Sequence, residues 1–188
     1  MIRDFTFCVL AYNHSDYIIE HLESIKYQIN NYARNVDCSL IVNDDASTDD
    51  TVELVENWLI KNGKIFKKVD EIFNKTNLGT SQSVINIANV LNTEYCKITA
   101  GDDVYTPNNL FEFVSNNLNY SLVTGIPVRL VDGKVKLSFF EVFNYFASDH
   151  IYKEKPLLNR VANVSIINAP NLFYSTEYLQ NHDLMSFL

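Results

Sequence analysis

At 188 residues, with 47% apolar and 20% charged side chains, the chain can bury one sizeable core and is too apolar to be disordered. Its formal charge of −8, without a basic patch, argues against a nucleic-acid backbone or an anionic membrane surface as the main partner. No apolar run reaches the length of a bilayer span, and no signal-peptide core follows Met1.

Strand-like and helix-like segments alternate from the start, which predicts an α/β fold. Phe5 to Ala11 is a near-continuous apolar run, the signature of a strand covered on both faces. After a turn at Asn13-His14-Ser15, apolar residues recur with helical spacing at Tyr17, Ile18, Leu22, Ile25 and Ile29. Cys38 to Val42 reads as a second buried strand, ending in the polar run Asn43 to Asp50. The next helix carries Val52, Leu54, Val55, Trp58 and Leu59, with Thr48 or Asp49 as its N-cap and Gly63 as its C-cap. Phe66 to Phe73 reads as a third strand. Asn77-Leu78-Gly79 then leads into a helix with Val84, Ile87, Ala88 and Leu91 on one face.

Tyr95 to Thr99 is a fourth strand and runs into Ala100-Gly101-Asp102-Asp103. Pro107, capped by Thr106, is expected to open a helix. Leu122 to Val131 is strand-like, and Asp132-Gly133 predicts a hairpin turn before Lys134 to Leu137. Ser138 to Ala147 reads as a helix whose Phe139, Phe140, Phe143 and Phe146 are expected to pack in the core. Leu172 to Tyr174 is a further short strand, and Glu177-Tyr178-Leu179 opens a last helix. Cys8, Cys38 and Cys96 lie far apart in apolar segments and are expected as buried free thiols. No linker stands out, so residues 1–188 are expected to form one domain. Its nucleotide-binding half covers about 1–110 and a less regular, acceptor-side portion about 111–188, the whole being the front part of a longer protein that continues past Leu188.

Two features carry chemistry. Asp102 and Asp103 are adjacent carboxylates after a strand, an arrangement that raises pKa values or recruits a cation. Mg²⁺ and Mn²⁺ take oxygen ligands, and such sites often combine one or two carboxylates with substrate phosphates. The second acidic loop, 44–50, follows another strand; ligands of open α/β sheets bind beyond the carboxyl ends of the strands. The two loops should therefore share one edge.

Three segments together resemble the family 2 glycosyltransferases of GT-A fold. They are Val9-Leu10-Ala11-Tyr12-Asn13; Val42-Asn43-Asp44-Asp45-Ala46-Ser47-Thr48-Asp49-Asp50-Thr51, similar to that family's VDDGSTDGT; and Asn77-x-Gly79 followed by Ala100-Gly101-Asp102-Asp103, similar to its DxD-type motif. Agreement of order and spacing covers residues 5–110, and Asn168 to Tyr174 resembles a strand that follows the acceptor-side hairpin. Ala46 stands where that family usually has Gly, Asn43 where an apolar or acidic residue is common, Ala100 where many members have Asp, and Val84 where Arg is frequent.

The resemblance implies a Rossmann-like sandwich with a mostly parallel central sheet flanked by helices. It implies inverting transfer of a sugar from a nucleoside-diphosphate sugar, with a UDP-sugar favoured, to a glycan or other hydroxyl acceptor. A divalent cation, Mn²⁺ or Mg²⁺, would be held by Asp103, with Asp102 assisting the metal or binding the ribose. Asp45 would accept from the base's ring N–H, Tyr12 would stack on the base, and Ala11 and Asn13 would line the same pocket. Asn77 and Gly79 would bring backbone close to the donor. The setting would be cytoplasmic polysaccharide assembly, at the inner membrane face in one arrangement.

Bland roles compete with these: Tyr12 as a core cap, Asp45 as a helix cap. His14, His21, His150 and His182 show no ligand spacing and read as surface or packing residues. Inverting transfer needs a general base, which the resemblance implies is an acidic residue well after the Asp pair. None is identified before Leu188, and the base is expected beyond it; Asp149 and Asp183 are acidic and late but lack the expected neighbours. Charge, length and motif order argue against a polymerase palm, and the missing Gly-rich basic loop disfavours a sugar nucleotidyltransferase. A non-catalytic nucleotide-sugar or glycan-binding module of the same fold is the alternative.

Overall fold

The computed structural model describes residues 2–125, 128–136, 139–155 and 172–181. These fall into two compact units, one built from 1–123 with 173–188 and the other from 124–172.

The first unit begins with β1 (Asp4–Ala11), α1 (Ile18–Tyr32), β2 (Asp37–Asp44) and α2 (Thr51–Asn62), followed by β3 (Lys68–Phe73) and α3 (Thr80–Val90). It continues with β4 (Tyr95–Ala100), α4 (Leu110–Ser115) and β5 (Leu122–Thr124). The second unit holds the strands β6 (Arg129–Val131) and β7 (Lys134–Lys136) and the helix α5 (Phe139–Tyr152). The chain then returns to the first unit through β8 (Leu172–Ser175) and α6 (Thr176–Leu179).

The central sheet has six strands in the order β3-β2-β1-β4-β8-β5. The pairs β1–β2, β1–β4 and β2–β3 are parallel, and β8 runs antiparallel to β4. Alternation along β1 divides the core. Phe5, Phe7, Val9 and Ala11 face α1, α2 and α4, where Ile18, Leu22, Ile25, Val55, Trp58, Leu110, Phe111 and Val114 close over them. Cys8 on the other face joins Ile41, Cys96 and Ile98 under Ile87, Ala88 and Leu91 of α3 and Leu179 of α6. Two covered faces account for strands that read as unbroken apolar runs. Edge-to-face rings tighten the first cluster, Phe5 against Phe7 at 5.0 Å and Phe7 against Tyr105 at 5.4 Å. All three cysteines are buried and free.

Several expectations are corrected. β2 runs on through Asn43 and Asp44, because Asp44 pairs with both Ala11 and Phe73. Gly63 does not adopt a left-handed cap; its φ is −57°, and the chain tightens there into a 3₁₀ turn over Gly63–Ile65. Pro107 does not open α4, which starts at Leu110 with Asn109 accepting from the Glu112 amide. The stretch 122–131 is two short strands rather than one.

In the second unit, Asp132 (φ 52°) and Gly133 (φ 68°) form the expected two-residue turn between β6 and β7. The aromatic stripe of α5 is not core: Phe139, Phe140, Phe143 and Phe146 are all exposed. They share one helical face, but the described residues bring no apolar surface over it. Residues 168–171, His182, Asp183 and Leu188 lie outside the described residues, as does the side chain of Asp149. The expectation of a general base beyond Leu188 likewise concerns residues outside the described ones.

Candidate active site at the carboxyl edge of the sheet

The register of β1 with its two neighbours fixes the site. Ala11 sits opposite Asp44 on one side, and Leu10 sits opposite Ala100 on the other. The ladder runs one step further at each end: the Asp45 amide donates to the Ala11 carbonyl at 2.8 Å, and the Gly101 amide to the Leu10 carbonyl at 2.8 Å. Asp45 and Asp102-Asp103 therefore flank the end of β1, separated by two strand spacings, about 10 Å. That span is too wide for the two acidic groups to share one ion.

Beyond β1, the loop 12–16 is zipped onto the loop after β2. The Asn13 amide donates to Ser47 Oγ, His14 to Thr51 Oγ1 and Ser15 to Asp49 Oδ2, while Asn13 Oδ1 accepts from the Thr48 amide. Asn13 (φ 55°) and Ala46 (φ 65°) take the left-handed conformation that these turns require. Asp44, almost fully buried, closes the 44–47 turn by accepting from the Ser47 amide at 2.9 Å and from its hydroxyl. Asp49 accepts from Ser15 and from Thr51, and these hydrogen bonds outweigh burial and hold its pKa well below the usual carboxylate range. Asp49 thus caps the start of α2, although the helix boundary falls at Asp50.

Tyr12 is 45% exposed and projects from the rim, so it caps no core. Asp45 is 6% exposed and is already engaged. Its Oδ1 accepts from Asn74 Nδ2 and the Leu78 amide, and its Oδ2 from the Gly79 amide, each at 2.8 Å. Burial alone would raise its pKa, but these donors hold it below the ordinary value. Asp45 therefore pins the 74–79 turn onto the rim, and Oδ2 retains a lone pair. Asn77 Oδ1 accepts from the same Gly79 amide at 3.1 Å. Gly79 has φ 85° and precedes α3, a conformation that a side chain would strain.

On the other flank, Gly101 makes room for α1. A Cβ there would lie 2.7 Å from Ile18 Cδ1 and 2.9 Å from His14 Nδ1. Among the described residues neither the Asp102 nor the Asp103 carboxylate accepts a hydrogen bond; His14 Nε2 lies 3.8 Å from Asp102 Oδ1. Burial, then the neighbouring Asp102 charge, raises the pKa of Asp103.

Beneath Asp103 lie groups whose involvement the sequence did not reveal. His21, fully buried, contacts the Asp103 carbonyl through Nδ1 at 2.5 Å, and burial pushes its pKa down to about 4. Lys97, 5% exposed, places its ammonium 4.3 Å from the Phe173 ring centroid. Burial pushes its pKa down to about 7 against the pull of Asp103. The polar face of α1 then staples the chain after the Asp pair. Ser24 Oγ accepts from the Tyr105 amide, Gln28 Nε2 donates to the Thr106 and Asn108 carbonyls, Gln28 Oε1 accepts from the Leu110 amide, and Tyr32 OH donates to the Pro107 carbonyl. Positions 21, 24, 28 and 32 share one side of the helix, but nothing local in the sequence ties them to residues some 80 positions later.

The donor set suits a hard divalent cation. Among the described residues no three His, Cys, Asp or Glu side chains gather to hold an ion. Two adjacent carboxylates with open oxygens, one with a raised pKa, match an ion that completes its shell with phosphate oxygens and water. No described helix is long and apolar enough to cross a membrane.

Comparison with known proteins gives a consistent picture. The model of Glycosyl transferase family 2 matches residues 6–174. Abequosyltransferase RfbV of Salmonella typhimurium is 31% identical over 105 residues, which cover 56% of this chain and 30% of that protein. S. aureus TarS 1–349 in complex with UDP-GlcNAc superposes with a TM-score of 0.67 at 22% identity, over 96% of this chain and 47% of that one. The mannosyltransferase PcManGT of Pyrobaculum calidifontis, solved with GDP-Man and Mn²⁺, gives a TM-score of 0.66 at 18% identity, over 95% and 46%. The chain thus spans about half the length of these structures, and the likeness to them is one of fold.

Proposed function

The chain belongs to Glycosyl transferase family 2, and from that premise we propose that its rim binds a nucleoside-diphosphate sugar, UDP-linked in preference, for inverting transfer to an acceptor hydroxyl. The carrying observation is the register that sets Asp45 and Asp102-Asp103 on either side of the end of β1. Tyr12 offers an exposed ring on which a base stacks, a contact of about 1–3 kcal/mol. The open lone pair of Asp45 Oδ2 accepts from a ring N–H, which favours uracil over cytosine. Ala11 and Asn13 shape the floor of that base pocket, and the Asn77–Gly79 turn brings backbone toward the donor.

Asp103, with Asp102 beside it, would hold a divalent cation against the diphosphate. When bound, Mn²⁺ or Mg²⁺ supplies Lewis-acid stabilisation of the charge that builds on the departing phosphate. The chain's part is to orient: α1 holds the Asp103 backbone while the zipped 12–16 and 44–51 loops hold the nucleoside side. In the transfer the bond from the anomeric carbon to phosphate oxygen breaks as the acceptor oxygen bonds from the opposite face. The acceptor proton passes to a base that the described residues do not identify. The setting is cell-surface polysaccharide synthesis on the cytoplasmic side of the membrane.

The reading is tested by thermal unfolding. UDP with Mn²⁺ at a hundredfold excess over Kd should stabilise the protein by about 2.7 kcal/mol, a shift of several degrees. Asp103→Ala should lose the Mn²⁺-dependent part and keep a weak response to UDP alone. Equal, metal-independent shifts in both proteins would overturn the metal role, and no response to any nucleotide would overturn the donor site.

A further inference from the structure

Two histidines lie against the Asp pair among the described residues, His14 near the Asp102 carboxylate and His21 against the Asp103 backbone, and the chemistry of its neighbours fixes how His21 is wired. The Asp103 carbonyl, 2.5 Å from Nδ1, can only accept, so Nδ1 carries the proton. Nε2 is then an acceptor, and Thr99 Oγ1, 3.4 Å away, donates to it. With its proton committed, the Thr99 oxygen accepts from Tyr105 OH at 3.2 Å. The result is a relay of a single polarity: Tyr105 O–H to Thr99, Thr99 O–H to His21 Nε2, His21 Nδ1–H to the Asp103 carbonyl.

Each member sits on a different part of the frame. Thr99 is near the end of β4, His21 on α1, and Tyr105 lies on the loop after the Asp pair, its amide held by Ser24 and its ring edge-on to Phe7. An imidazole this deeply buried must be hydrogen-bonded, whereas an apolar residue would fill the same space without that demand; what the histidine adds is a donor for the Asp103 carbonyl. The only other hydrogen bond recorded for the Asp103 backbone among the described residues is the turn bond from its amide to Ala100 at 3.1 Å.

We propose that His21 is a positioning residue for Asp103, the Tyr105–Thr99–His21 relay setting the peptide from which the Asp103 carboxylate reaches the donor's diphosphate and cation. This rests on the donor reading above. A group that orients a ligating carboxylate from behind typically carries a 10–100-fold effect on metal affinity.

The test uses titration calorimetry of UDP in the presence and absence of Mn²⁺, with circular dichroism and thermal unfolding of the metal-free proteins. In His21→Asn the side-chain amide nitrogen takes the place of Nδ1 and still donates to the carbonyl. In His21→Leu the volume is kept and the donor is lost. The expected result is a tenfold or greater loss of the Mn²⁺-dependent affinity in His21→Leu, unchanged affinity for UDP alone, and recovery to within about threefold of wild type in His21→Asn. Thr99→Val, which removes the donor to Nε2 without touching the carbonyl, should fall between them. The ¹⁵N spectrum of the wild-type ring should show the Nδ1–H tautomer.

Wild-type Mn²⁺ dependence in His21→Leu, equal losses in His21→Asn and His21→Leu, or an Nε2–H ring would each overturn the proposal while leaving the donor reading standing. A wild-type protein that binds no UDP with Mn²⁺ would overturn both.

Discussion

Ala46 shows how a single dihedral records what a site needs. Its φ of 65° lets Ser47 turn back to Asp44, and its amide belongs to the loop that Asn13 clasps. That conformation costs an L-residue about 1–2 kcal/mol, which accounts physically for the glycine that the resembling motif carries at this position. Ala46→Gly should therefore stabilise the protein by about 1 kcal/mol even after the added chain entropy of the unfolded state. The corresponding rise in Tm is about 2–4 °C. Differential scanning calorimetry decides it; an unchanged or lowered Tm would mean that the loop does not hold this conformation in solution. Asp45 makes a related point. The sequence marked it as a group for a ligand, and the structure shows it occupied first with its own protein, holding Asn74, Leu78 and Gly79. Spacing in a motif cannot distinguish a carboxylate that meets the ligand from one that orders the turn meeting it.

At the scale of an element, α1 does two jobs with two stripes. Ile18, Leu22 and Ile25 pack on β1, and His21, Ser24, Gln28 and Tyr32 hold the backbone from Asp103 to Leu110. The first stripe was legible because apolar periodicity is a local signal. The second was not, since polar side chains at helical spacing read as a solvated face until the partner 80 residues away is in place. The same limit explains α4: Pro107 suggested a helix start, but Gln28 and Tyr32 claim the carbonyls of Thr106, Pro107 and Asn108 and hold that stretch as a turn. Gln28→Ala would strip partners from two carbonyls and from the Leu110 amide, with Gln28 itself buried. We expect a loss of about 2–3 kcal/mol in urea-unfolding free energy, with faster amide exchange across 105–110. Loss of less than about 0.5 kcal/mol, the range of an ordinary surface change, would remove the stapling role.

Across the whole molecule, the parallel half of the sheet was readable because strands buried on both faces write themselves as apolar runs, with acidic loops at a common edge. The antiparallel arrival of β8 next to β4 was not readable, because a four-residue strand carries no sign of its partner. Nor was the separate unit over 124–172, where exposed phenylalanines on α5 imitate a core stripe. What the fold contributes to chemistry is the placement of two loops, far apart in sequence, on either side of one strand end. Location is therefore the property to test. Paramagnetic broadening of amide resonances by Mn²⁺, with and without UDP, measures it directly. Residues 11–13, 45, 79 and 101–103 should broaden selectively and more strongly with UDP present, while Asp4, Asp37, Lys68 and Tyr95 at the opposite edge stay sharp. Broadening centred on that opposite edge, or spread evenly over the acidic surface, would contradict the account.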